Sequence, residues 1–226
     1  MKACPIETSP TPSIATALLA AMSLLSLPEA SAEAVNPPPV PDNIRIPAGN
    51  KAFVVGHALG TQNYSCLPAG IDAAGNPRYA WTLFTPQATL FAHNHKEITT
   101  HYFSPNPYEP SPSPFTEGPI RATWQDSKDS SLVWGKVVPG DASSDSAYVA
   151  PGAIPWLRIT VVGTEDGPTG GGALTPTTYL HRVNTTGGVA PSTGCGFLAD
   201  VGKQAFVPYT ADYYFYRKAK GGPKDD

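Results

Sequence analysis

Turn-forming residues interrupt this chain every few positions, and that punctuation limits its fold more than any other feature. The 226 residues include 26 prolines and 21 glycines. After the N-terminal segment no stretch sustains the 3.6-residue apolar period of a helix. The segments between the breaks read as strands, rich in β-branched and aromatic residues: 51–66, 78–84, 88–92, 97–103, 130–138, 154–163, 177–184 and 204–216. Their spacing predicts an all-β chain, a single-domain β-sandwich or barrel over 46–216 with long Pro- and Gly-rich loops. The longest interruptions are 104–119, with six prolines, and the glycine-rich 163–176. The first cannot be a core strand, and is either an inert surface loop or a lid. The second lacks the Gly-Lys-Ser/Thr ending of a phosphate loop and reads as flexible.

The two ends read differently from the middle. An apolar run from Ile14 to Leu27 leads to Ala30-Ser31-Ala32, the small-residue pattern of a cleaved secretory signal, so 1–32 is expected to be a signal peptide. The run is too short to span a bilayer, and no membrane association is expected after cleavage. Residues 33–45 read as an extended proline-rich lead-in and 217–226 as a disordered tail. Signal removal takes away Cys4 and leaves Cys66 and Cys195, an even pair that suggests one disulfide in an oxidising compartment, with a thiol nucleophile as the alternative. Two sequons, at Asn63 and Asn184, fit a secreted glycoprotein. The net charge of -3, without basic runs, gives no footprint for nucleic acid.

Candidate chemistry starts from "FAHNHKEITTH", residues 91–101, which holds three of the five histidines. Three clustered histidines suggest a metal site. The flanking segments, however, read as the arms of a hairpin with His93 and His95 at its tip. His101 would then lie six residues further along a strand, about 20 Å away at the rise of extended chain. Zinc requires its nitrogens at about 2.0–2.1 Å, so no three-histidine metal site is expected. His93 and His95 read as solvated turn residues. His101 sits beside Tyr102 and Phe103, and is either a satisfied core residue or a proton-transfer group. His57 and His181 also fall in strand-like runs, and Arg182 could anchor an anion. Neither a Gly-x-Ser-x-Gly elbow nor a distinctive carboxylate pair is present. Tyr64, Trp81, Trp124 and other large aromatics either fill the core or line an apolar cavity.

The blocks "IPAGNKAFVVGHALGTQNYSC", "THYFSP", "ATWQDSKDSSLVWGKVV", "GAIPWLRITVVG", "HRVNTTGGVAPSTGC" and "VPYTADYYFY" appear in an order that resembles a secreted family of fungi and bacteria. It is the domain of unknown function numbered thirty-four fifty-five, and the resemblance covers about residues 46–216. Gln62-x-Tyr64-x-Cys66 and Gly194-Cys195 match its pattern and support the disulfide; His101 matches in "THYFSP", although Thr99 stands where a glycine is expected. The chain also resembles the secreted hetero-Diels–Alderases of fungal tropolone–sesquiterpenoid pathways. That likeness implies a pericyclase joining a tropolone quinone methide to a humulene-type alkene, with small apolar molecules as partners and no cofactor. The residues assigned to this reading are His101 for proton transfer, Tyr64, Trp81 and Trp124 as cavity walls, and Arg182 for the tropolone oxygens. A non-enzymatic secreted protein binding small molecules or cell-wall material is the alternative.

Overall fold

The structure is a computed structural model that describes residues 35–115 and 117–221. The expected signal peptide, the first two residues of the lead-in and residues 222–226 lie outside the described residues. Nine strands follow in order: β1 (Asn50–Ile71), β2 (Pro77–Phe91), β3 (Glu97–Pro105), β4 (Ile120–Asp126), β5 (Leu132–Lys136), β6 (Ala142–Ser143), β7 (Trp156–Glu165), β8 (Tyr179–Gly187) and β9 (Gln204–Lys218). They form one sheet in the order β5-β4-β3-β2-β1-β9-β8-β7-β6, and every pair is antiparallel. A further pairing between β5 and β7 closes the sheet on itself. Eight strands therefore make a closed barrel, and β6 extends the edge of β7 at Trp156 and Leu157. Closure removes most of the unpaired strand edge that an open sheet would expose.

Alternation along β9 shows how the sequence fills this barrel. Tyr209, Ala211, Tyr213 and Phe215 are buried in the main core with Leu90, Trp124, Val133 and Leu180. Each such large apolar side chain contributes roughly 1.5–3 kcal/mol on burial. Tyr214 and Tyr216 face the other way and are buried too, against Ile44, Val149, Trp156 and Val183. The proline-rich lead-in supplies part of that cover: Ile44, in a short 3-10 turn from Asp42 to Ile44, is fully buried, with Val35, Val40 and Ile46 beside it. His181 fastens this segment by donating from Nε2 to the Ile44 carbonyl at 2.7 Å, while its Nδ1 accepts from the Tyr216 hydroxyl at 2.9 Å.

The structure departs from the sequence reading in four places. The runs 78–84 and 88–92 are one strand, β2, that continues through Pro86. Pro86 is tolerated because the ladder to β3 begins only at Ala88. β4 was not expected, because its acidic C-terminal end resembled a turn. The strand stops at Asp126, whose Oδ1 accepts from the backbone of Lys128 and Asp129. The glycine-rich loop is packed rather than flexible: Leu174 is 2% exposed in the main core, and Asp129 accepts from the Ala173 backbone. β9 continues to Lys218, so the expected tail begins inside a strand.

Candidate functional site

The main core closes one end of the barrel and leaves the other open. β1 and β2 run on past the open mouth as a projecting arm, while β3 and β5 end near the mouth and β4 and β7 begin there. A cavity of about 450 Å³ lies there, within the usual range for small-ligand pockets. Four of the five residues assigned to catalysis or substrate binding line it: Tyr64, His101, Trp124 and Arg182. The apolar wall comes from side chains such as Leu83, Phe103, Ile120 and Leu157. Among the described residues no Asp or Glu lines the cavity, while Arg121, Lys136 and Arg182 do.

His101 pairs in register with Trp124 across β3 and β4, and the two rings stack with centroids 4.2 Å apart and planes 6° apart. Tyr213 closes the other side at 5.2 Å. Nδ1 lies 2.8 Å from the Thr123 carbonyl, which can only accept, so Nδ1 carries the proton. The lone pair is then on Nε2. Burial pushes the imidazole down to about 3, against the Thr123 hydrogen bond that raises it, and the Arg182 guanidinium lowers it further. His101 is therefore neutral at pH 7 and a weak base there, so a proton passed to it is readily given up.

Arg182 sits on β8 between Leu157 and Tyr213. It donates from Nε and Nη2 to the Pro155 carbonyl, at 3.2 and 2.9 Å. Among the described residues it has no salt-bridge partner. Arg121 and Lys136, by contrast, share Glu109, whose carboxyl is held down to about 2 chiefly by the Arg121 hydrogen bond. Tyr64 donates to the Gly188 carbonyl at 2.6 Å, which fixes its ring at the wall. Burial raises the Tyr64 and Tyr213 hydroxyls and keeps both protonated.

Trp81 is the assigned residue that the fold places elsewhere. It pairs with Cys66, and its indole Nε1 donates to the Thr193 carbonyl at 2.9 Å beside the Cys66–Cys195 disulfide. Its role is to hold the disulfide loop rather than to line the cavity. The bridge itself answers the cysteine question in favour of a disulfide. Asn63 is 2% exposed, so the folded barrel leaves no room for a glycan there; Asn184 is exposed.

Gln62, a cavity residue not assigned from sequence, is two positions before Tyr64 and shares its face by strand alternation. Among the described residues the Trp124 Nε1 is buried without a hydrogen-bond partner, and the Gln62 side chain lies beside the Tyr209 hydroxyl. Arg121 is not assigned because β4 is not recognised in the sequence, whereas Lys136 lies in a run that is read as a strand, 130–138, and is given no role there. The proline-rich loop does not reach the cavity: no described residue of 106–119 lines it. Its base is tied down by Asn106, fully buried and donating to Glu109 and to the Val162 carbonyl.

The histidine cluster divides in space. His93 and His95 are exposed at the β2–β3 turn, where His95 has φ 61°, and His101 lies in the barrel. Among the described residues no three His, Cys, Asp or Glu side chains are grouped to hold a metal ion. His93 does have a histidine neighbour, but it is His57 of β1.

A family model described as "Protein of unknown function (DUF3455)" matches residues 47–217. No curated protein and no solved structure matches the chain.

Proposed function

The chain belongs to the family of proteins of unknown function DUF3455, and we propose that it is a secreted, cofactor-independent enzyme joining two small apolar molecules in the mouth of its barrel. The cavity carries this reading. It combines a mainly apolar wall with one buried imidazole in its accepting form and a guanidinium that, among the described residues, has no acidic partner. Such a site suits a substrate with a hydrocarbon body and an electron-rich oxygen head. The disulfide fits the oxidising compartment that a secretory signal would lead to.

The reaction proposed is a hetero-Diels–Alder addition to a tropolone quinone methide. Arg182 holds the ring oxygens. His101 Nε2 takes the ring hydroxyl proton and returns it to the departing hydroxyl group, so that a C–O bond breaks and water leaves. The imidazole ends as it began. The methide carbon and the ring oxygen then each bond to one carbon of the alkene, with no change in overall oxidation state. The cavity contributes by excluding water and holding both partners in a reactive orientation.

The test is incubation of the purified protein with a hydroxymethyl-tropolone and humulenol. One adduct of fixed stereochemistry, formed faster than in buffer, is expected, with at least a tenfold loss of rate in His101→Leu. An unchanged rate with wild-type protein refutes the pericyclase reading. Tight substrate binding without turnover would make the protein a carrier, which is the alternative.

A further inference from the structure

On the outer face of the barrel, away from the cavity residues, a polar chain crosses four neighbouring segments. Asn184 of β8 donates from Nδ2 to Asp212 Oδ2 at 2.7 Å. Asp212 of β9 accepts from His57 Nδ1 through Oδ1 at 2.6 Å. His57 of β1 brings its Nε2 to within 3.0 Å of Nδ1 of His93, at the β2–β3 turn. We propose that His57 and His93 form a two-histidine site for a divalent late transition-metal ion, Cu²⁺ or Zn²⁺, oriented by Asp212 and completed by solvent.

Three observations carry the proposal. Asp212 fixes the proton of neutral His57 on Nδ1, and so presents a lone pair on Nε2. A carboxylate behind the distal nitrogen is the arrangement that orients metal-bound histidines and makes them more basic. Here the carboxylate is itself fixed by Asn184.

The separation of the two nitrogens is also close to that of a coordinated pair. Ligands at about 2.05 Å in tetrahedral geometry lie roughly 3.3 Å apart. The observed 3.0 Å needs a few tenths of an ångström of opening, and His93 is on an exposed turn that can supply it.

Finally, the exposed turn leaves room for the pair to adjust. The two ring centroids are 4.4 Å apart and tilted by 53°; a tetrahedral pair would hold them about 5.2 Å apart, so His93 must swing away by somewhat less than about 1 Å. His57 is 35% exposed at its side chain, so an ion can reach it. Imidazole donors with open solvent positions favour Cu²⁺ most strongly among first-row divalent ions.

The test uses the purified protein and CuCl₂ or ZnCl₂ in a non-chelating buffer, followed by calorimetry and, for copper, electron paramagnetic resonance. One equivalent of Cu²⁺ should bind with Kd below about 10 µM, with hyperfine coupling to two nitrogens. His57→Gln and His93→Gln should each abolish that site, and Asp212→Asn should weaken it about 10- to 100-fold. His95→Gln should leave it unchanged. All four positions are on the barrel's outer face or its turn, and circular dichroism checks that each variant is folded. Weaker binding by wild-type protein overturns the proposal. So does retention of the site in His93→Gln, or its loss in His95→Gln, which would place the ion on the turn alone.

Discussion

Acid should unfold this barrel through its two buried histidines before its carboxylates respond. His101 is 4% exposed and His181 2%, and burial brings them down to about 3 and about 4. An unfolded histidine titrates near 6.5. Between these values the unfolded chain binds protons that the folded chain refuses, so stability falls as the pH drops through 6.5 and levels off only below the folded values. At pH 5.5 the two sites together give a difference of about two protons, or roughly 2 kcal/mol per pH unit. Integrated from pH 7.5 to 4.5, the loss is about 5 kcal/mol, comparable to the whole stability of a marginal domain. Glu109 and Asp200, both held down to about 2, add losses in the same direction, chiefly below pH 4.5. The upper window therefore isolates the histidines. Urea unfolding at half-unit steps from pH 7.5 to 4.5 measures the slope. His101→Leu and His181→Leu should each lower the baseline and halve the slope to roughly 1 kcal/mol per unit. A wild-type slope below about 1 kcal/mol per unit, or variants with the wild-type slope, would refute the reasoning.

Other predictions concern the frame. Replacing both Cys66 and Cys195 by alanine opens a bridge between residues 129 apart, and should cost about 5 kcal/mol in the chain-entropy treatment, read as a shift in urea midpoint. Gly60→Ala would place a Cβ 2.1 Å from the Gln87 carbonyl and 2.6 Å from Ala88 Cα; forcing β1 and β2 apart should cost at least about 2 kcal/mol by the same assay. In a glycosylating host, Thr186→Ala should remove one glycan mass from the secreted protein. Ser65→Ala should remove none, because the Asn63 it serves is buried. Glu109→Gln leaves Arg121 and Lys136 without their shared carboxylate, and should speed protease cleavage within 106–119 while leaving the core's resistance unchanged.

The fold class was legible because period-two alternation and turn residues are local signals. Barrel closure was not, since it depends on β5 meeting β7 at Trp134 and Gly163 across the largely irregular stretch 137–155, where β6 is the one short strand between them. Alternation also fails where both faces are buried. At the end of β9, over 213–216, inner and outer residues are equally aromatic, so nothing local announces that residues 35–46 cover the barrel. Pro86 misled by its chemistry, which forbids a ladder bond only on the side where β2 has already lost its partner.

The candidate site was legible to the same degree and for the same reason. His101 and Tyr64 could be placed on strands from local pattern, and alternation from Tyr64 would have given Gln62. Trp81 and Tyr64 look alike in sequence, yet they pair at different heights on the β1–β2 hairpin: Tyr64 with Leu83 at the barrel mouth, Trp81 with Cys66 on the projecting arm. A shift of two residues along one strand thus decides between a cavity wall and a disulfide clamp. The histidines follow the same rule. Sequence proximity grouped His93 with His95 and His101, whereas register places His57 opposite Phe91, two residues from His93. A barrel brings together residues at equal height on neighbouring strands, so the chemistry of this protein must be sought across the ladder rather than along the chain.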